Sequence, residues 1–393
     1  MPGHRVALRA AIPLLLLAIP DSSENLRLRQ LIEKGRHPAI RWSRFSDVQP
    51  SAIRLYGQNG WGLLWLTGGR PTPGARALLD ILATAGDRGL DPRDYDAVHL
   101  AALGSNLDRG GADAEQEIRF DAGLTVAALR FSLALARGRV RISAGSGDRG
   151  QPPEFDPVPL LEVVRRDSNP GPLFLALEPS WSPYRELKRA LARYRQVAKD
   201  SARLQPRVRQ IELALERWRW LPRIPGEAGL FLSAPSGRLR FAPGSELSQV
   251  VGMSARAVTA GCRNLTAAGG ELRHLIFRPE GTRIPVKFPV TDEFFLTGAA
   301  PGERIEGGCI HVGDGELLAE LLLRDRPEWR GDRVRQAMSG ARPMFVRLSR
   351  PVPVLFVYGT AEVGENGQVV FFPDAYDHDR RLDALLRRGY PYP

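Results

Sequence analysis

Reactive sulfur and imidazole are both scarce in this chain of 393 residues. Cys262 and Cys309 are its two cysteines, and six histidines are spread from His4 to His378. Two cysteines in so long a chain exclude a disulfide-stapled scaffold. Nowhere do histidine and cysteine fall into a paired CxxC or HxxxH spacing, so the residues predict no metal site and no cofactor. No internal repeat and no low-complexity segment is present. Beyond residue 20 no apolar run is long enough to span a bilayer. Zinc-finger spacing, an aromatic RNA-binding signature and a concentrated basic arm are also missing. Nucleic acid is therefore not an expected partner, although the net charge is +11.

Hydrophobic residues make up 43% of the chain and charged residues 25%, enough to bury a core and to divide into two or three domains. Residues 1–20, "MPGHRVALRAAIPLLLLAIP", place Arg5 and Arg9 before a short apolar run, the pattern of a signal peptide; a frayed amphipathic helix is the alternative. Export would put the protein in the periplasm or cell envelope, where anionic envelope polymers are the expected counter-charge. The cysteines would then sit in an oxidising compartment, which leaves open a Cys262–Cys309 bond or two free thiols. Arginine carries most of the positive charge, in runs such as "RELKRALARYRQVAKDSARLQPRVRQ", and dispersed charge of this kind predicts solvated helix faces.

From Asn25 to about Ala198 apolar residues recur at three- and four-residue spacing, which predicts a helical region over 24–200. Within it, "GLDPRDYD" closes one helix at Gly89 and starts the next turn with Asp91 and Pro92. Pro206 breaks the following run, and Val208, Ile211, Leu215 and Trp218 share one face of the helix after it. From Gly229 the texture changes to short alternating strands with a turn at "ENGQ", residues 365 to 368, and one helix after Cys309. The fold class expected is α+β: a helical domain over 24–200, then a connecting helix and a β-rich domain over 205–393. The seven tryptophans are expected as core anchors, His274 as a half-buried strand residue and Cys262 as structural.

The order "YGQNGWGLLWLTGGRPTPGARALLDILATAGDRGLDPRDY", "GLTVAALRFSLALARGRV", "ELALERWRWLPR", "QVVGM", "GGCIHV" and "RPVPVLFVYGTAEVGENGQVVF" resembles exported murein L,D-transpeptidases with an N-terminal scaffold domain, over nearly the whole chain after residue 20. That resemblance implies a helical scaffold, a β-sandwich-like catalytic domain and cysteine acyl transfer between peptidoglycan stem peptides, peripheral to the envelope. It places the nucleophile at Cys309 and the preceding glycine at Gly308, with the Gly308 and Cys309 amides as an oxyanion hole.

The chain departs from the family at three points. The family's base histidine lies on an upstream strand, where this chain has "VTDEF" with Thr291 and "FLTGA" with Thr297. His311 stands where the family usually has arginine. The stretch from Arg278 to Cys309 is short, and no peptidoglycan-binding module fits between Ala198 and Leu213. His311 as a substitute base and His311 as a structural polar residue are both open. So is a catalytically degenerate relative that binds peptidoglycan or an envelope partner.

Overall fold

Prolines and short polar side chains set the helix starts in the first half of the chain. The computed structural model describes residues 23–110, 113–140, 155–221, 229–233, 235–242, 251–257, 267–278, 281–288, 291–297, 310–312, 315–340, 342, 344–364 and 366–392. Residues 1–20, read as a signal, lie outside them. Helices α1 (Ser23–Lys34) and α2 (Gln49–Gln58) lead to a small hairpin of β1 (Leu66–Thr67) and β2 (Arg70–Pro71). Thr72 then caps α3 (Pro73–Ala83), its hydroxyl accepting from the Ala75 amide at 3.1 Å while Pro73 takes a position whose amide has no helical partner. Asp113 caps α5 (Ala114–Arg137) and Asp156 caps α6 (Pro157–Val164) in the same way.

Between α3 and α4 (Ala97–Asp108) the chain makes two 3₁₀ turns, Ala85–Arg88 and Pro92–Tyr95. Gly89 ends the first at φ +70°, a conformation that favours glycine, and Asp91 caps the second through the Arg93 amide. The stop and start expected there are present, with 3₁₀ geometry on either side. Helix α5 is buried almost all round from Ile118 to Ala136, so the scaffold is built about it: α1, α2, α3, α4 and α6 all lean on its surface. After α7 (Gly171–Leu175), α8 (Ser182–Ala198) and α9 (Gln205–Trp218) pair with each other.

The second half is a mixed eight-stranded sheet in the order β8-β7-β6-β10-β3-β4-β5-β9. Its strands are β3 (Gly229–Ser233), β4 (Arg238–Ala242), β5 (Val251–Ala257), β6 (Ala267–Arg278), β7 (Gly281–Phe288), β8 (Thr291–Thr297), β9 (Ile310–Val312) and β10 (Met344–Val357). β10 runs parallel to β3, and the other pairings are antiparallel. β8 also lies against β9, so the two ends of the order come together. A separate hairpin joins β11 (Ala361–Val363) and β12 (Val369–Phe371) around the "ENGQ" turn. The fold is α+β, as the change of texture at Gly229 predicts.

Two details differ from the sequence expectation. "MFVRLS" and "VPVLFV", separate short strands by their pattern, form one strand, β10, with a register shift between Arg347 and Val352; proline there removes a ladder donor yet keeps an extended backbone. Among the described residues three helices, where one was expected, follow residue 309: α10 (Gly315–Leu322), α11 (Asp332–Ser339) and α12 (His378–Arg388). α12 escapes a hydropathy reading because two of its four buried residues, His378 and Asp379, are polar.

Helices α10 and α11 cover one face of the sheet, where Leu318, Leu323 and Val334 meet Leu272, Leu275 and Phe277. The stripe predicted on α9 is buried against α8 and the strands: Trp181 and Trp218 both meet the Phe231 ring of β3, at 5.1 and 6.0 Å between centroids. Trp329 stacks on Phe277, and Trp65 is fully buried in the scaffold. These tryptophans are core anchors, as expected.

Candidate functional site

Gly308, Cys309 and Cys262 lie outside the described residues. Around the cysteine block, the described residues end at Thr297 before it and resume at Ile310 directly after it. Directly after Cys309, β9 pairs antiparallel with β5 in a register that sets Ala257 opposite Ile310, Arg256 opposite His311 and Ala255 opposite Val312. "IHV" is thus extended, and α10 begins three residues later at Gly315. β9 also lies against β8, which contains both Thr291 and Thr297. The topology therefore brings together the strand following the cysteine and the strand on which the resemblance expects a base. β8 reads "TDEFFLT" and has no histidine. His274 is on β6, opposite Arg347 of β10.

A second constellation was not legible as a site in the sequence. The segment "ERWRW" at the end of α9 buries its charged side chains completely: Glu216, Arg217 and Arg219 are each at most 1% exposed. The expectation of solvated charge fails here because these residues meet counter-charges from distant parts of the chain. Glu216 accepts from the amides of Arg139 and Val140, and from Arg219 Nη1 at 3.2 Å. Arg219 also donates to the Arg88 carbonyl and to the Tyr184 hydroxyl. Arg217 pairs with Asp379 of α12 and lies over the Tyr358 ring at 5.3 Å. Asp379 in turn accepts from the buried Thr360 hydroxyl.

Tyr358 and Thr360 belong to "YGTAE", whose first three residues link β10 to β11, so one charged network ties scaffold turn, α9, the sheet and α12 together. The Nε of Arg219 and the Nε and Nη2 of Arg217 find no hydrogen-bond partner among the described residues. Such burial is costly in itself and leaves these guanidiniums dependent on the partners they have.

The last residue of "YGTAE", Glu362, accepts from the Ser233 hydroxyl at the end of β3. Burial pushes its carboxyl up to about 7, although the charges of Arg240 and Arg238 pull the other way. His37 is a structural histidine. Its Nδ1 accepts from the Ala39 and Ile40 amides at 3.1 and 3.2 Å, which leaves the proton on Nε2 to donate to the Arg119 carbonyl. Burial lowers it to about 4, so it is neutral near pH 7.

Among the described residues no group of three histidine, cysteine, aspartate or glutamate side chains is arranged to hold a metal ion. Comparison with curated proteins gives no match. A family model described as a Scaffold domain matches residues 51–191, from the first turn of α2 into the middle of α8, so the helical half of this chain is similar to that family.

Proposed function

We propose that the chain is an exported L,D-transpeptidase-type protein that acts on peptidoglycan in the periplasm or cell envelope. The observation that carries the reading is the Scaffold-domain match over 51–191, followed in the same chain by a sheet whose β9 continues directly from the "GGC" block. In this reading the Cys309 thiolate attacks the carbonyl carbon that precedes the terminal D-alanine of a tetrapeptide stem. A thioester forms, the C–N bond breaks, and D-alanine leaves with the proton. The side-chain amine of a neighbouring stem then attacks the thioester, a new amide forms, and the thiol is returned. The amides of Gly308 and Cys309 would hold the oxyanion in both halves of the reaction.

A free thiol has a pKa of about 8.5, so attack near neutral pH requires a neighbour that lowers it or takes its proton. With no histidine on β8, His311 is the nearest residue in sequence able to do so. That same composition of β8 favours a second reading, a non-catalytic relative that binds peptidoglycan or an envelope partner.

Incubating the purified protein with disaccharide tetrapeptide and following D-alanine release and dimer formation by mass spectrometry separates the two. Product from the natural chain and none from Cys309→Ser supports acyl transfer. No product, with both proteins sedimenting alongside sacculi, supports the binding role. Absence of both product and sedimentation rejects the assignment.

A further inference from the structure

A cleft of about 590 Å³ opens where the scaffold, the α8–α9 pair and α12 meet, and among the described residues none of its wall comes from the eight-stranded sheet. That volume is within the range of small-molecule sites. Among the described residues the wall carries seven arginine or lysine side chains against four carboxylates, an excess of three positive charges. All four carboxylates are already engaged. Asp94 accepts from Arg139 at 2.9 Å and from the Trp42 indole at 3.2 Å, and Asp91 holds Arg93 at 2.6 Å. Glu212 is shared between Arg195 and Arg209, and Asp383 between Arg209 and Arg387.

Nothing acidic in the wall is therefore left free to repel an anion. Arg41 and Lys199, both exposed at the rim, form no ion pair among the described residues. Arg139, with a side chain only 4% exposed, is held between Asp94 at 2.9 Å and Glu216, whose Oε2 lies 3.8 Å from its Nε. Guanidinium groups fixed in this way by carboxylates present their remaining N–H donors in a rigid fork suited to phosphate or carboxylate oxygens. A ligand of matching charge would balance the excess. We propose that this cleft is a binding site for a small multivalent oxyanion, a function separate from the chemistry proposed for Cys309.

The test uses the full chain and isothermal titration at low ionic strength, with tripolyphosphate and citrate as probes and chloride as the blank. Saturable binding of at least one probe at one site per chain is expected. The Arg41→Ala/Lys199→Ala protein should bind about tenfold more weakly, as two lost rim charges allow. Arg27→Ala/Arg119→Ala, which removes the same charge from surface positions outside the cleft, should stay within about twofold of the natural protein.

All four positions are exposed or partly exposed, and melting curves of both double variants check that folding is intact. Much tighter binding of tripolyphosphate than of citrate points to phosphate oxygens as the preferred group, and tighter binding of citrate to carboxylates; similar affinities uphold an oxyanion site without preference. Absence of saturable binding for both probes, or an equal loss in the two double variants, overturns the proposal. A protein without acyl-transfer activity that still binds tripolyphosphate through Arg41 and Lys199 upholds this inference while the proposed enzymatic reading falls.

Discussion

In the middle of the scaffold, Asp121 of α5 is fully buried, with Tyr56 donating to it at 2.6 Å and the Trp65 amide at 2.7 Å; Thr125 joins the group through Tyr56 and the Trp65 indole. At the junction of scaffold and sheet, Arg217 and Arg219 are buried just as deeply, but beside carboxylates and with guanidinium N–H groups left over. The scaffold network holds one carboxyl and a ring of neutral donors, all from neighbouring helices and loops of a single core. The junction network holds full charges supplied by separate elements, α9 and α12, that also share apolar contacts. Removing a member should therefore cost most at the junction, where an uncompensated charge stays behind.

The largest effect is expected at Asp379. Asp379→Ala leaves Arg217 buried without its partner and should destabilise the protein by about 3–5 kcal/mol in urea unfolding. Arg217→Met combined with Asp379→Leu should recover most of that loss, because an apolar pair leaves no charge unpaired. If Asp379→Ala costs less than about 1 kcal/mol, the junction behaves like a surface pair and the contrast with the scaffold disappears.

The scaffold network should reveal itself through pH. Burial raises the Asp121 carboxyl to about 6, against the hydrogen bonds that favour its charged form. A carboxyl raised above its unfolded value binds more protons when folded. Its contribution is thus fully present below about pH 4 and is lost as pH rises through 6, roughly 3 kcal/mol in all. Glu362, pushed up to about 7, titrates in an overlapping window, so the Asp121 share is the difference between the natural protein and Asp121→Asn. Identical stability profiles from pH 4 to 7 for those two proteins would rule out the assignment.

A smaller effect tests how the C-terminal segment is held. Gly389 has φ +74°, and a Cβ there would run into the Trp42 ring. Gly389→Ala should lower stability by about 1–3 kcal/mol and loosen the tail that places the Tyr390 ring 4.5 Å from the Arg130 guanidinium. Hydrogen exchange of α12 amides would register this as faster opening, and an unchanged exchange rate would mean that the tail is held elsewhere.

The smallest effect is expected where charge meets water. Arg119→Ala removes an exposed i,i+4 pair with Glu115 and should change stability by about 0.3–0.5 kcal/mol in a thermal melt. A loss comparable to that of Asp379→Ala would show that exposure does not separate the two kinds of ion pair in this chain.

Much of the architecture is local and could be read directly. Asp91 with Pro92, Gly89 and the "ENGQ" turn act within a few residues of themselves, and they end or start elements where the pattern says they should. The change to alternating strands at Gly229 is equally local, since period-two hydrophobicity needs only the pleat of one strand. The cysteine block could be recognised by its pattern, whereas Cys309 itself lies outside the described residues.

Tertiary structure decided what no window of sequence contains. Arg217 and Asp379 are 162 residues apart, and a hydropathy pattern scores both as solvent-facing until the fold brings them into contact. The same holds for β8 and β9, whose contact sets a histidine-free strand beside the one that follows Cys309 in sequence, and for the cleft walled by Arg41, Lys199 and Arg387 from three separate parts of the chain. Capping and pleating depend on neighbours along the backbone, so sequence determines them. Burial of charge and the shape of a cleft depend on partners across space, and only the folded chain supplies those.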